Sequence, residues 1–163
     1  MAVKLLLIDH LPLQQSGGGY YSVSWNIAKQ LDKHFDLVPF RHVPSSIDLR
    51  ARWVSRMKRR LFRLPGGFFP FSDRALTANA IALKQRQTET TNAIFFRSST
   101  RWAKCRPSVP YFVHTDVVFK TYYNNTFRSN DYITEDLERI WETERDFLEG
   151  ASCVFFESSW GMK

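Results

Sequence analysis

The chain has 163 residues, of which 44% are hydrophobic, 24% charged and 15% aromatic, the profile of one folded domain with a buried core, which excludes disorder throughout. Its 23 Lys and Arg against 16 Asp and Glu leave a net charge of +7, favouring anionic partners such as nucleotides, phosphorylated sugars, nucleic acid or acidic lipid. The charge is segregated: residues 1–130 hold 20 basic and 7 acidic side chains, and residues 131–163 hold 3 basic and 9 acidic.

Val3 to Ile8 is a nearly unbroken apolar run, the pattern of a strand buried on both faces of a parallel sheet. Tyr20, Val23, Ile27, Ala28 and Leu31 then recur at helical spacing, with Ser22 or Ser24 placed to cap the start. Phe35 to Phe40 reads as the second strand. From Arg50 to Arg63 come six Arg and one Lys without an acid, interleaved at roughly helical spacing with Trp53, Val54, Met57, Leu61 and Phe62. Ser72 and Asp73 offer caps for a helix through Ala75, Leu76, Ala80, Ile81 and Leu83, which leads into a strand at Ala93 to Phe96. Val109 to Val113 forms a fourth strand. Glu135 to Glu149 places Leu137, Ile140, Trp141, Phe147 and Leu148 on one helical face, with Gly150 as its stop. Cys153 to Phe156 is the last strand. Strands alternating with helices predict an α/β fold, a Rossmann-like doubly wound parallel sheet, as a single domain over residues 1–163. The helix that should cover the last strand is missing, so a fragment of a larger protein is expected.

Two cysteines, Cys105 and Cys153, with no CxxC pair, point to free, inert packing thiols in a reducing compartment rather than to a disulfide or zinc framework. No run approaches membrane-spanning length. Cytoplasmic location is expected, with peripheral contact at the inner face of a membrane left open.

In open α/β sheets ligands gather at the carboxyl ends of strands. Gly17, Gly18 and Gly19 follow the first strand and precede a helix, an arrangement that lets a phosphate or sugar hydroxyl approach backbone N–H groups. The run fits neither GxGxxG nor GxxxxGK[ST]. At the end of the fourth strand, His114 and Asp116 place an imidazole and a carboxylate two residues apart, suited to orienting a hydroxyl or holding a sugar. No metal site is expected, because His10, His34 and His42 are scattered. Glu144 falls on the apolar face of its helix, which allows either a buried acid with a perturbed titration or, the favoured reading, a side chain at the edge of the stripe; the remaining acids of that helix are read as a solvated face. The basic segment, through Arg52, Arg56, Lys58, Arg59 and Arg60, suits a membrane or anion contact. Its plainer reading is a solvated helix whose apolar stripe packs on the sheet. Nucleic acid is not expected as a partner.

Taken in order, the first strand with Gly17-Gly18-Gly19, then Pro110 to Phe119 with Tyr122 or Tyr123, then an acidic helix closing on Ala151 to Trp160, resemble the N-terminal half of a family 4 glycosyltransferase of the GT-B fold. The resemblance implies a two-lobed retaining enzyme that transfers a sugar from a nucleotide-diphosphate donor to a glycan or lipid-linked acceptor, with no tightly bound cofactor. This lobe would take the acceptor, and an absent C-terminal lobe would supply most donor contacts, leaving the fragment inactive alone. Carried across, the glycine loop with Tyr20 would lie near donor phosphates and acceptor, His114 or Asp116 would border the reacting sugar, and Ser158 would stand at the cleft. Two alternatives belong to other classes: a noncatalytic anion- or membrane-binding module built on residues 50–63, and an NADP-binding Rossmann protein using Arg41 and His42.

Overall fold

A computed structural model of the chain describes residues 3–9, 19–41, 46–127 and 131–157. Strands β1 (Lys4–Asp9), β2 (Asp36–Arg41), β3 (Ala93–Phe96), β4 (Tyr111–Thr115) and β5 (Cys153–Phe156) form one sheet in the order β2-β1-β3-β4-β5. Every pairing is parallel; Leu5, for example, sits opposite Leu37 on one side and Ala93 on the other. The flanking helices are α1 (Tyr20–Leu31), α2 (Ser46–Leu61), α3 (Asp73–Arg86), α4 (Phe119–Thr126) and α5 (Thr134–Glu149). The α/β, Rossmann-like architecture expected from the alternating pattern is the one observed.

Period-two geometry divides β1 between the two faces of the sheet. Leu6 and Ile8 join Ile94, Phe96, Tyr111 and Val113 in a core closed by Leu76 and Leu83 of α3 and Phe147 of α5. Leu5 and Leu7 alternate to the opposite face and are equally buried. A second cluster, Phe68, Phe119, Tyr123, Tyr132 and Ile140, joins the turn before α3 to α4 and α5. Phe68 lies edge-on to Phe119, Tyr123, Phe127 and Tyr132, geometry that favours aromatic packing beyond area burial alone.

Local signals explain several element ends. Ser72 caps α3 by accepting the Ala75 N–H at 3.3 Å, and Asp73 lies in its first turn. Gly19 rather than Ser22 or Ser24 caps α1: its φ of 64° suits glycine, while the Ser22 hydroxyl donates back to its carbonyl at 2.8 Å. Cys105 is buried, its thiol pushed up to about 12 by desolvation, but Cys153 is exposed on the edge strand and is not a packing residue.

The basic segment departs from its plainer reading. It is helical, but its apolar stripe does not pack on the sheet: Leu49, Trp53 and Leu61 are 64–67% exposed. The helix rests on the body through Ser55, whose hydroxyl donates to the Gly67 carbonyl at 2.7 Å, and through Arg59, stacked over the Tyr132 ring.

Candidate functional site

The chain order places β1 and β3 side by side, with β2 beyond β1 and β4 beyond β3. This reversal of winding direction leaves a crevice at the carboxyl ends of the strands. A cleft of about 480 Å³ opens there, walled by the loops after β3, β4 and β5 and by Tyr21 in the first turn of α1.

Arg97, the residue after β3, organises its floor. The side chain is only 3% exposed and lies 3.9 Å from the Asp9 carboxylate at the end of β1. It donates to Glu157 beyond β5 at 3.4 Å, to Ser24 of α1 at 3.4 Å, and to Nδ1 of His114. One buried cation thereby ties the ends of four strands to α1, the paired arrangement that makes a buried charge tolerable.

The contact with Arg97 also fixes the state of His114. A guanidinium only donates, so Nδ1 must carry its lone pair and the ring proton resides on Nε2. Desolvation, reinforced by the Arg97 charge, holds the imidazole pKa below its usual value against the opposing pull of Glu157. His114 therefore meets the cleft as a neutral N–H donor. Asp116, two residues on, lines the same cleft, is half-buried and makes no hydrogen bond among the described residues.

The two loops holding these groups share one hidden anchor. Glu144 of α5 is 1% exposed. Its carboxylate accepts from Ser99 at 2.5 Å, from Thr100 at 2.7 Å and from the Phe119 N–H at the start of α4 at 2.6 Å. Glu144 is thus a core residue and not the edge of a stripe. Burial outweighs these three bonds and raises its pKa. The other acids of α5 do form a solvated face, Glu135, Glu138, Glu142, Asp146 and Glu149 all being exposed; Asp136 alone departs from it, accepting the Phe68 N–H at 2.6 Å and pairing with Arg139.

Ser98 also lines the cleft, with φ 150°, a backbone region proper to glycine. Its buried hydroxyl has no partner among the described residues. Non-glycine backbone strain of this kind concentrates where surrounding structure imposes it, commonly at ligand sites.

Of the residues marked by sequence, His114 and Asp116 come together in this cleft. Gly19 stands at the head of α1, where a Cβ would meet open space, and Tyr20 opens the helix. Gly17, Gly18, Ser158 and His42 lie outside the described residues. Arg52, Arg56, Lys58, Arg59 and Arg60 are all on α2, and none lines the cleft. Sequence reasoning missed Arg97, Ser98, Ser99 and Glu157. The rule that singled out the loop after β4 applies equally to the loops after β3 and β5. Comparison with protein-family models, curated proteins and solved structures yields no match, leaving the cleft's own geometry and the resemblance of its motifs as the basis for assigning function.

Proposed function

We propose that this domain is the acceptor-side lobe of a nucleotide-sugar-dependent glycosyltransferase, and that the cleft at the carboxyl ends of β3, β4 and β5 holds the reacting sugar. The observation that carries the reading is the pairing, in one cleft, of a neutral His114 offering an N–H with an Asp116 carboxylate offering acceptor oxygens. Sugar hydroxyls donate and accept at adjacent positions, so a donor beside an acceptor is complementary to them. The cleft volume falls in the range of small-ligand sites.

Glycosyl transfer leaves negative charge on the departing diphosphate. The first turn of α1, whose Tyr21 lines the cleft, contributes the positive end of a helix dipole on that side. His114 serves as a donor and not a general base, because Arg97 occupies the Nδ1 lone pair. This agrees with retaining transfer, for which no single protein base need exist. Asp116 orients the sugar by accepting its hydroxyl protons. Arg97 and Glu144 are positioning residues that hold the walls. In this reading the acceptor is a glycan or lipid-linked sugar, and the donor nucleotide is gripped chiefly by a second lobe.

The test joins this lobe to its donor-binding lobe and follows release of nucleoside diphosphate across candidate sugar donors and acceptors. His114→Ala and Asp116→Ala should each lower kcat/KM by at least about tenfold, the scale of one lost charged or catalytic hydrogen bond. Wild-type rates in both variants would overturn the assignment.

A further inference from the structure

We infer that α2 docks the protein on a bilayer surface rich in anionic lipid. Between Leu49 and Leu64 there are seven cations and no acid. Leu49, Trp53, Met57 and Leu61 follow one another at four-residue steps and so form one ridge of the helix. Arg52, Arg56 and Arg60 form the ridge beside it. Leu49, Trp53 and Leu61, with Phe62 and Leu64 just after the helix, are all more than half exposed. Toward the protein the helix turns Ser55 and Arg59, and Ala51 and Met57 are half-buried, so the exposed apolar ridge is that of Leu49, Trp53 and Leu61.

This helix is therefore amphipathic with its apolar ridge pointing outward, and a concentrated apolar patch of that kind marks an interaction surface. Charge selects the partner. A surface supplying anionic headgroups above an apolar layer satisfies both ridges at once, with arginines at the phosphates and Trp53, Leu61 and Phe62 in the interface. Arg56, Arg59 and Arg60 also line a nook of about 310 Å³, and guanidinium donors are suited to a headgroup phosphate. Nucleic acid would use the cations but has little use for three exposed leucines. The surface lies apart from the cleft and shares none of its lining residues, so this inference stands independently of the glycosyl-transfer reading.

The test floats the 163-residue chain with vesicles of phosphatidylcholine alone and of equal parts phosphatidylcholine and phosphatidylglycerol. Binding is expected only to the anionic vesicles and should weaken as salt rises. The double variant Arg56→Glu with Arg60→Glu should bind about thirtyfold more weakly, and Trp53→Ala about tenfold. Circular dichroism checks folding, and Phe62→Ser, beyond the helix end, replaces any variant that unfolds. Absence of wild-type binding, equal binding to both vesicle types, or unchanged binding by the variants would overturn the inference. So would association into a dimer, or binding to single-stranded RNA, that depends on the same residues while vesicles are ignored.

Discussion

Replacing Glu144 tests whether one buried carboxylate holds both walls of the cleft. Glu144→Ala removes the acceptor for three donors: Ser99, Thr100 and the Phe119 N–H. Ser99 retains Thr115 as an alternative partner at 3.4 Å, and Thr100 is half-buried, within reach of water. The Phe119 amide is the group left stranded, at a cost of about 1–3 kcal/mol. Loss of packing from a fully buried side chain adds to this, for a total near 4 kcal/mol, a large share of the 5–15 kcal/mol typical of a domain. Glu144→Gln keeps the shape and one acceptor, and its amide can donate to the hydroxyl oxygens, so it should cost only about 1 kcal/mol.

The pH dependence separates this account from simple loss of packing. Burial raises the Glu144 pKa in the folded state. At Glu144 the folded chain therefore binds more protons than the unfolded one between the ordinary carboxylate value and the raised one. This group's contribution to stability falls as pH rises through that window, opposite in sign to the contribution of Asp73, whose pKa is lowered. Glu144→Gln has no such proton, so its stability relative to wild type should improve as pH rises from the ordinary carboxylate range. Urea denaturation followed by circular dichroism, repeated across pH, reads both effects. Equal losses for Gln and Ala, or a wild-type pH slope that survives in the Gln variant, would refute the reasoning.

Three further outcomes are expected. Arg97→Gln withdraws the cation shared by Asp9, His114 and Glu157; stability should fall by about 3–5 kcal/mol, and the His114 pKa, followed by its ring-proton NMR shift, should rise because the Arg97 charge lowers it. Ser98→Gly relieves a backbone conformation that costs a non-glycine residue about 1–3 kcal/mol and removes a hydroxyl without a described partner, so a higher denaturation midpoint is expected. Gly66→Ala would drive a Cβ into the Ser55 hydroxyl and to within 2.9 Å of its carbonyl oxygen; calorimetry should show a loss of about 2 kcal/mol.

The sheet was legible in the sequence because strands buried on both faces need unbroken apolar runs, and Leu5 to Ile8 and Ala93 to Phe96 have no other good use. The Ser72 cap of α3 was legible for the same local reason. Longer-range relations were not. Arg97 resembles any basic loop residue until β1 brings Asp9 beside it across 88 positions, and Glu144, although its spacing sets it on the apolar face of its helix, shows no partner until Ser99 and Phe119 arrive from 45 and 25 residues away. Helix α4 went unanticipated because it is eight residues long and lacks a side-chain cap. The periodicity of α2 revealed a helix but not which face turns inward. That choice is made by Ser55 bonding to Gly67, where the neighbouring Gly66 lets the backbones approach. The histidine and aspartate of the cleft were visible because they stand at the end of an evident strand; the arginine that sets the histidine's proton was not.

The central claim is that the His114–Asp116 cleft binds a sugar. Titrating the isotopically labelled chain with a panel of mono- and oligosaccharides, and following backbone NMR shifts, tests it most directly. At least one sugar should shift Thr115, Asp116 and Ser99 together, and Asp116→Asn should weaken that binding by about tenfold or more. Shifts confined to other surfaces, or unchanged affinity in Asp116→Asn, would contradict it.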